Sequence, residues 1–195
     1  MERVSLDGGT WLNRPSSASF ADGVLTVATD AKTDFWRDTY YGFTRDSGHC
    51  LQFAQGSGFT AEIRVRGQYE TLYDQAGLMV RLDERRWVKT GCELTDGRLF
   101  LSTVVTDGRS DWSVTDLAGD LSDIRLRVTV AGGSIRVQAS LDGVFWPLLR
   151  LAPFPAADAY RVGPMAASPE RAGFIAAFSD FRCGPPTTNA LHDLT

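Results

Sequence analysis

The chain has 195 residues, of which 43% are hydrophobic and 23% are charged, and its formal net charge is −4. That length supports one substantial hydrophobic core and is short for two ordinary domains. No run of lysine or arginine forms the basic stripe that would neutralise phosphates, so neither nucleic acid nor an acidic membrane surface is an expected partner.

The cysteines and the N-terminal segment bear on compartment and cofactors. Cys50, Cys92 and Cys183 are odd in number, far apart and without the paired spacing of a zinc site, which predicts buried free thiols, no metal and no other cofactor. Residues 1–11 lack the apolar region of a signal peptide, and no apolar run is long enough to span a membrane. These features together predict a cytoplasmic protein.

Apolar and polar residues alternate in a series of short segments. The alternation is clearest at 59–65, 75–82, 87–94, 124–130 and 135–141, and Asp-Gly or Gly-Gly turn signals separate several such segments. No segment has an apolar pattern of helical spacing. We therefore predict an all-β sandwich or jelly roll forming a single domain over 1–183, followed by a loosely ordered tail over 184–195.

Two turns predict the register of the central strands. A three-residue turn at 83–85 and an Asp-Gly hairpin at 96–97 both send the same apolar residues to the buried face. Together they place Gly77 opposite Gly91, which predicts a depression in the other face. Lys89 and Glu93 would lie at either end of it, roughly 13 Å apart and too far for a direct ion pair.

The face opposite the core is predicted to carry an unusual polar set: Gln75, Arg81, Trp87, Lys89, Glu93 and Ser102. An amide, an indole, an ammonium and a carboxylate on one face suggest a binding site facing water. Arg81 and Trp87 are expected to stack as a cation–π pair at its rim. The alternative is an ordinary solvated face whose glycines mark a bulge or a twist.

Four longer motifs carry a family resemblance: DFWR at 34–37, YDQAGLM at 73–79, WVKTGCE at 87–93 and SDWS at 110–113. With them the stretch from Trp11 to Cys183 resembles the family that includes the fungal regulation-of-enolase protein, whose members have the concanavalin A-like lectin/glucanase fold. The resemblance implies a jelly roll of two curved antiparallel sheets, with carbohydrate as the usual class of ligand on the concave face.

The preferred hypothesis is a non-catalytic binding module for a carbohydrate or another small polar ligand. Aromatic side chains offer flat faces for sugar rings, and polar side chains bond hydroxyl groups. Two of the aromatic residues, Trp36 and Trp112, have the alternative role of packing loops. The full predicted ligand-binding set is Trp36, Tyr73, Gln75, Arg81, Trp87, Lys89, Glu93, Ser102, Asp111 and Trp112.

Two other functions remain open. A glycoside hydrolase needs two carboxylates about 5 to 9.5 Å apart. Glu93 can supply one, and Asp34 or Asp111 the other if a loop brings it in, but the Glu-x-Asp-x-x-Glu signature of related glucanases is absent. The third hypothesis is a regulatory domain whose concave face binds a protein partner.

Overall fold

The computed structural model describes residues 1–195 and consists almost entirely of antiparallel strands. A short 3-10 helix at Leu6–Gly8 is its one helical element, and no helix has the length and apolar character needed to cross a membrane. The strands are β1 (Glu2–Arg3), β2 (Thr10–Leu12), β3 (Ser17–Ala21), β4 (Val24–Ala28), β5 (Phe35–Arg37), β6 (Thr44–Asp46), β7 (His49–Gln55), β8 (Phe59–Gly67), β9 (Gln75–Arg81), β10 (Arg86–Thr95), β11 (Arg98–Asp107), β12 (Arg109–Thr115), β13 (Asp123–Ala131), β14 (Ser134–Ser140), β15 (Leu148–Pro153), β16 (Tyr160–Ala167) and β17 (Ile175–Gly184).

Two large sheets form the predicted sandwich. One has eight strands, in the order β15-β14-β13-β8-β17-β4-β3 with β1 paired to β17, and the other has seven, in the order β12-β11-β10-β9-β16-β7-β2. The main core lies between them and contains 32 buried residues. Leu78 and Val88 enter it from the seven-stranded sheet, and Ile63 and Leu126 from the eight-stranded sheet. The all-β sandwich prediction is confirmed.

The predicted register of the central strands is also confirmed. Gly91 of β10 pairs with Gly77 of β9 and with Ser102 of β11. The β10–β11 turn has positive φ at both central residues, 51° at Asp96 and 72° at Gly97, which matches the right-handed twist of the flanking strands. The turn chemistry therefore determines which side chains leave the core.

The outer face of the seven-stranded sheet is covered rather than solvated. The hairpin β5–β6 forms a third, two-stranded sheet, and residues of both layers share a second hydrophobic cluster of Phe35, Trp36, Cys50, Met79, Trp87, Val104 and Met165. The prediction that the polar set faces water is therefore wrong. Each of its six members is 7% exposed or less. The alternation of apolar and polar residues along a strand predicts which side chains point away from the core. It does not predict that a hairpin distant in sequence covers them.

Arg81 anchors this hairpin instead of stacking on Trp87. Its guanidinium donates to both carboxylate oxygens of Asp46, at 2.8 and 2.7 Å. Trp87 packs against Phe35, with ring centroids 6.1 Å apart. The predicted Arg81–Trp87 cation–π pair is thus wrong, because a carboxylate from β6 offers the guanidinium a bidentate, charge-assisted partner.

The facing glycines create close backbone contact, not room for a ligand. A Cβ atom on Gly91 would lie 2.1 Å from the carbonyl oxygen of Ala76 and 2.6 Å from the Cα atom of Gly77. The cavity at this point measures only about 10 Å³, at the limit for one water molecule. The predicted ligand depression is therefore wrong, and the glycines allow β9 and β10 to approach closely.

Asp74 joins the loops at one end of the seven-stranded sheet. Its buried carboxylate accepts hydrogen bonds from Ser168 Oγ at 2.7 Å, from the Arg171 guanidinium, and from the backbone N–H groups of Glu70 and Thr71. Burial alone would raise the pKa of Asp74, but these hydrogen bonds outweigh it and hold the pKa below its ordinary value. The loop before β9 is thereby tied to the loop after β16.

Residues beyond β17 return over the eight-stranded sheet. The backbone N–H of Trp146 donates to the carbonyl oxygen of Leu194 at 2.7 Å, and Arg136 donates to that of Asn189 at 3.3 Å. The backbone N–H of Thr187 donates to Thr60 Oγ1 at 2.8 Å. These contacts lie on the side of the sandwich away from the β5–β6 hairpin.

We expect Gly91→Val to destabilise the fold by about 3 kcal/mol, at the upper end of ordinary overpacking, because backbone atoms already occupy the space of its Cβ. Urea unfolding measures this loss. Gly56→Ala is the matched control, since Gly56 is exposed and its added Cβ would meet nothing within 4 Å. Equal stability of the Gly91 variant and the wild type would contradict the close-approach explanation.

Asp74→Asn should cost about 3 kcal/mol at neutral pH, because it removes the buried carboxylate that pairs with Arg171 and leaves only the exposed carboxylate of Glu70. The lowered folded-state pKa means that the folded chain binds fewer protons than the unfolded chain just below about pH 4. The stabilisation is complete above that unfolded value and is lost as the pH falls through the folded-state pKa. Thermal unfolding across this pH range should therefore show that the stability of the variant falls less steeply with decreasing pH than that of the wild type.

The control for this measurement is Asp158→Asn, which removes an exposed carboxylate that makes no side-chain hydrogen bond. It should keep both the stability and the acid dependence of the wild type. An Asp74 variant whose acid limb matched that of the wild type would show that this carboxylate does not govern acid stability.

Candidate functional site

A pocket of about 430 Å³ opens between the seven-stranded sheet, the β5–β6 hairpin and the loop after β16. This volume lies within the range of small-molecule sites. Strands β9, β10 and β11 supply its floor, and the hairpin supplies most of its walls. The lining residues are Lys32, Asp34, Trp36, Tyr41, Phe43, Arg45, Tyr73, Gln75, Lys89, Glu93, Val104, Trp112, Pro169 and Glu170.

Five aromatic residues form the walls of the pocket. Trp36 and Trp112 meet edge to face, with centroids 6.4 Å apart and ring planes at 89°. Tyr41 stacks with Phe43 at 5.5 Å, and its hydroxyl lies 3.4 Å from that of Tyr73 on the opposite wall. The pocket thus presents several ring faces and edges in fixed orientations.

Tyr73 adopts an uncommon backbone conformation. Its φ of 64° lies in the left-handed region, which is unfavourable for a bulky side chain. The buried carboxylate of Asp74 holds the loop that carries it, through the hydrogen bonds described above. Strain maintained in this way is typical of residues that a site holds in position.

An amide, an ammonium and a carboxylate form one connected group on the floor. Lys89 Nζ donates to Gln75 Oε1 at 2.6 Å and to Asp34 Oδ1 at 3.2 Å. Gln75 Nε2 also donates to Asp34 Oδ1, at 3.4 Å. The Lys89 side chain is only 5% exposed, so the paired Asp34 carboxylate is what makes burial of the ammonium tolerable.

Glu93 belongs to a second hydrogen-bonded chain on the floor. Trp112 Nε1 donates to Ser102 Oγ at 3.0 Å, and Ser102 Oγ donates to Glu93 Oε2 at 2.6 Å. Burial raises the pKa of Glu93, although nearby Lys89 and the Ser102 hydroxyl act in the opposite direction. Oε2 of Glu93 is thus bonded to Ser102, whereas Oε1 has no hydrogen-bond partner within the chain.

The pocket brings together six of the ten residues that sequence reasoning places in the site: Trp36, Tyr73, Gln75, Lys89, Glu93 and Trp112. The other four do not line it. Arg81 pairs with Asp46, Trp87 packs beneath the hairpin, and Ser102 lies behind Glu93. Asp111 accepts a hydrogen bond from Arg150 at 2.7 Å and borders a separate cleft.

Several lining residues are not identified by the sequence analysis. Tyr41 and Phe43 come from the β5–β6 connection, where clustered aromatic residues beside Gly42 are a signal that could have identified them. Pro169 and Glu170 follow β16 and offer no comparable signal. Asp34, considered above only as a second acid, is central to the floor because it pairs with Lys89.

The fold also gives the positions of the cysteine thiols and of the side chains able to ligate metals. No group of three or more His, Cys, Asp or Glu side chains is arranged to hold a metal ion. Cys50, Cys92 and Cys183 are buried and free, as predicted. Burial raises the pKa of Cys50 to about 12, so its thiol stays protonated and unreactive.

Similarity to solved structures agrees with the sandwich architecture. The crystal structure of a functionally unknown protein from Saccharomyces cerevisiae superposes with a TM-score of 0.92 at 54% identity, covering 94% of this chain and 100% of that chain. Xylan beta-1,4-xylosidase from Bacillus halodurans C-125 has a TM-score of 0.68 at 16% identity, over 94% of this chain and 39% of that chain. The second likeness shows a shared fold alone.

Sequence comparison gives the family. "Regulation of enolase protein 1" of Saccharomyces cerevisiae is 54% identical over 194 residues, covering 100% of this chain and 98% of that protein. The resemblance inferred from the four motifs is confirmed. A family model matches residues 11–186, and the chain therefore belongs to the family described as "Protein of unknown function (DUF1349)".

Proposed function

We propose that the protein binds a small carbohydrate, or a chemically similar polar ligand, in the aromatic-walled pocket and does not transform it. The observation that carries the proposal is the combination of five aromatic walls with a buried amide, ammonium and carboxyl floor. Aromatic faces pack against the apolar faces of sugar rings, and a few fixed polar groups select hydroxyl positions.

The pairing of charges on the floor supports a neutral, hydroxyl-bearing ligand. The Lys89 ammonium is already paired with Asp34 and Gln75, and burial of Glu93 raises the pKa of that carboxyl group. The ammonium is therefore not free to attract an anion. Glu93 Oε1, in contrast, lacks a partner within the chain and can bond a hydroxyl group.

The relatives of similar fold add only limited support. Several of them are named as enzymes acting on xylan or xyloglucan, but the xylosidase is just 16% identical to this chain. The case for carbohydrate therefore rests on the pocket itself. The name of the yeast relative suggests regulation, which is compatible with a ligand-binding domain.

One observation favours glycoside hydrolysis as a second candidate. Glu93 has a raised pKa and shares the pocket with Asp34, as the acid and the second carboxylate of a glycosidase would. Against it, Asp34 Oδ1 already accepts hydrogen bonds from Lys89, Gln75 and the backbone N–H of Phe35. That oxygen is committed to the floor, which makes binding the better-supported role.

A screen of mono- and oligosaccharides by calorimetry tests binding, with Tyr41→Ser and Tyr40→Ser as matched variants. Tyr41 lines the pocket and is 47% exposed, whereas its neighbour Tyr40 is 93% exposed and outside it. We expect Tyr41→Ser to weaken binding by about 1 to 2 kcal/mol, the value of one aromatic contact, and Tyr40→Ser to change little. Equal losses in both variants would place the ligand outside this pocket.

Glu93→Gln separates binding from hydrolysis. The amide keeps the shape of the side chain and an oxygen that accepts hydrogen bonds, so we expect affinity for a neutral ligand to change by less than about tenfold. Sugar-release assays should detect no turnover with either protein. Release that occurs with the wild type and disappears in the variant would establish Glu93 as a catalytic acid or nucleophile and overturn the non-catalytic assignment.

A further inference from the structure

The outer face of the eight-stranded sheet concentrates arginine, although the chain carries a net charge of −4. These side chains come from β8, β13, β14 and β17, and they lie on the opposite side of the sandwich from the aromatic pocket. The arginines of this face are Arg64, Arg66, Arg125, Arg127, Arg136 and Arg182.

Ion pairs neutralise two of these six arginines, and three others, Arg66, Arg125 and Arg182, make no hydrogen bond or ion pair within the chain. Arg64 donates to both oxygens of Asp123, at 2.8 and 2.6 Å, and Arg127 pairs with Glu62. Arg125 also stands directly opposite Arg64 in the β13–β8 ladder, a like-charge arrangement that is unfavourable unless an anion lies between the two.

The loop before β15 lies beside the Arg125 side chain. Arg125 is half-buried, and a Cβ atom on Gly143 would lie 3.2 Å from both its Cδ and Nε atoms. Asp142 Oδ1 stabilises that loop by accepting hydrogen bonds from the backbone N–H groups of Val144 and Phe145. The glycine therefore leaves room for the Arg125 side chain, whose guanidinium donors remain unused.

A bulge in β17 brings Arg182 to the same place. The register of β17 against β8 shifts between Ser179 and Arg182, and Asp180 within the bulge has a φ of 52°. Bulges of this kind redirect side chains. The resulting cavity of about 320 Å³ is lined by Arg64, Arg125 and Arg182. Two carboxylates also line it, and each is paired with an arginine outside the lining: Glu62 with Arg127 and Asp180 with Arg3.

We propose that this cavity, named here the arginine cavity, binds the phosphate group of a small phosphorylated molecule. Guanidinium groups recognise phosphate oxygens through paired, charge-assisted hydrogen bonds. Arg125 and Arg182 together leave two positive charges uncompensated, which matches a phosphate dianion better than the single charge of a carboxylate. The site is independent of the aromatic pocket, because the core of the sandwich separates the two faces.

The test is a titration of the full chain with inorganic phosphate, and separately with acetate at the same ionic strength, followed through the NMR signals of the arginine Nε–H groups. We expect saturable shifts for Arg125 and Arg182 with phosphate and none with acetate. Arg125→Gln and Arg182→Gln should each weaken phosphate binding by at least about tenfold. Arg182 is exposed, so its replacement does not endanger folding.

Arg161→Gln is the matched control, because it removes the same charge from an exposed, unpaired arginine on the other sheet. Its phosphate affinity should stay within about twofold of the wild type. Three results would each overturn the proposal: no saturable phosphate binding by the wild type, equal binding of acetate, or a loss in the control as large as that in the Arg125 variant.

Discussion

The ion pair between Arg81 and Asp46 positions the hairpin that covers the site. It joins the end of β9, the central strand of the seven-stranded sheet, to the end of the β5–β6 hairpin through two hydrogen bonds, with the Arg81 side chain 8% and the Asp46 side chain 31% exposed. Loss of Asp46 would leave the buried Arg81 charge unpaired beneath the hairpin, which is far more costly than the pair itself. The β5–β6 hairpin is therefore held in one position over the sheet, and the walls of the pocket are fixed.

Covering the sheet changes the chemistry of the side chains beneath. In water, Lys89, Gln75 and Glu93 would be interchangeable surface residues, whereas under the hairpin each must find a partner or change its protonation. Lys89 pairs with Asp34, and Glu93 has a raised pKa with one oxygen held by Ser102. The polar side chains of the floor are thus held in fixed positions by hydrogen bonds to one another.

The sandwich separates two environments suited to different ligands. One sheet carries a pocket walled by aromatic rings, and the other carries guanidinium groups that lack carboxylate partners. Solved structures such as the xylosidase share the sandwich at low sequence identity, so the architecture alone does not predict either site. Within this chain, the first site depends on the β5–β6 hairpin and the second on the bulge in β17.

The sandwich, the pairing of β9, β10 and β11, and the identity of the side chains that leave the core are all predictable from the sequence. They follow from two-residue periodicity and from turns such as Asp96-Gly97, which act over short distances along the chain. The contacts that those side chains make outside the core depend on how distant segments pack. Asp46 lies 35 residues before Arg81 in the chain, and no local pattern links the two. The same holds for Tyr41 against Tyr73 and for the backbone that fills the space beside Gly91, because such contacts arise only when distant segments pack together.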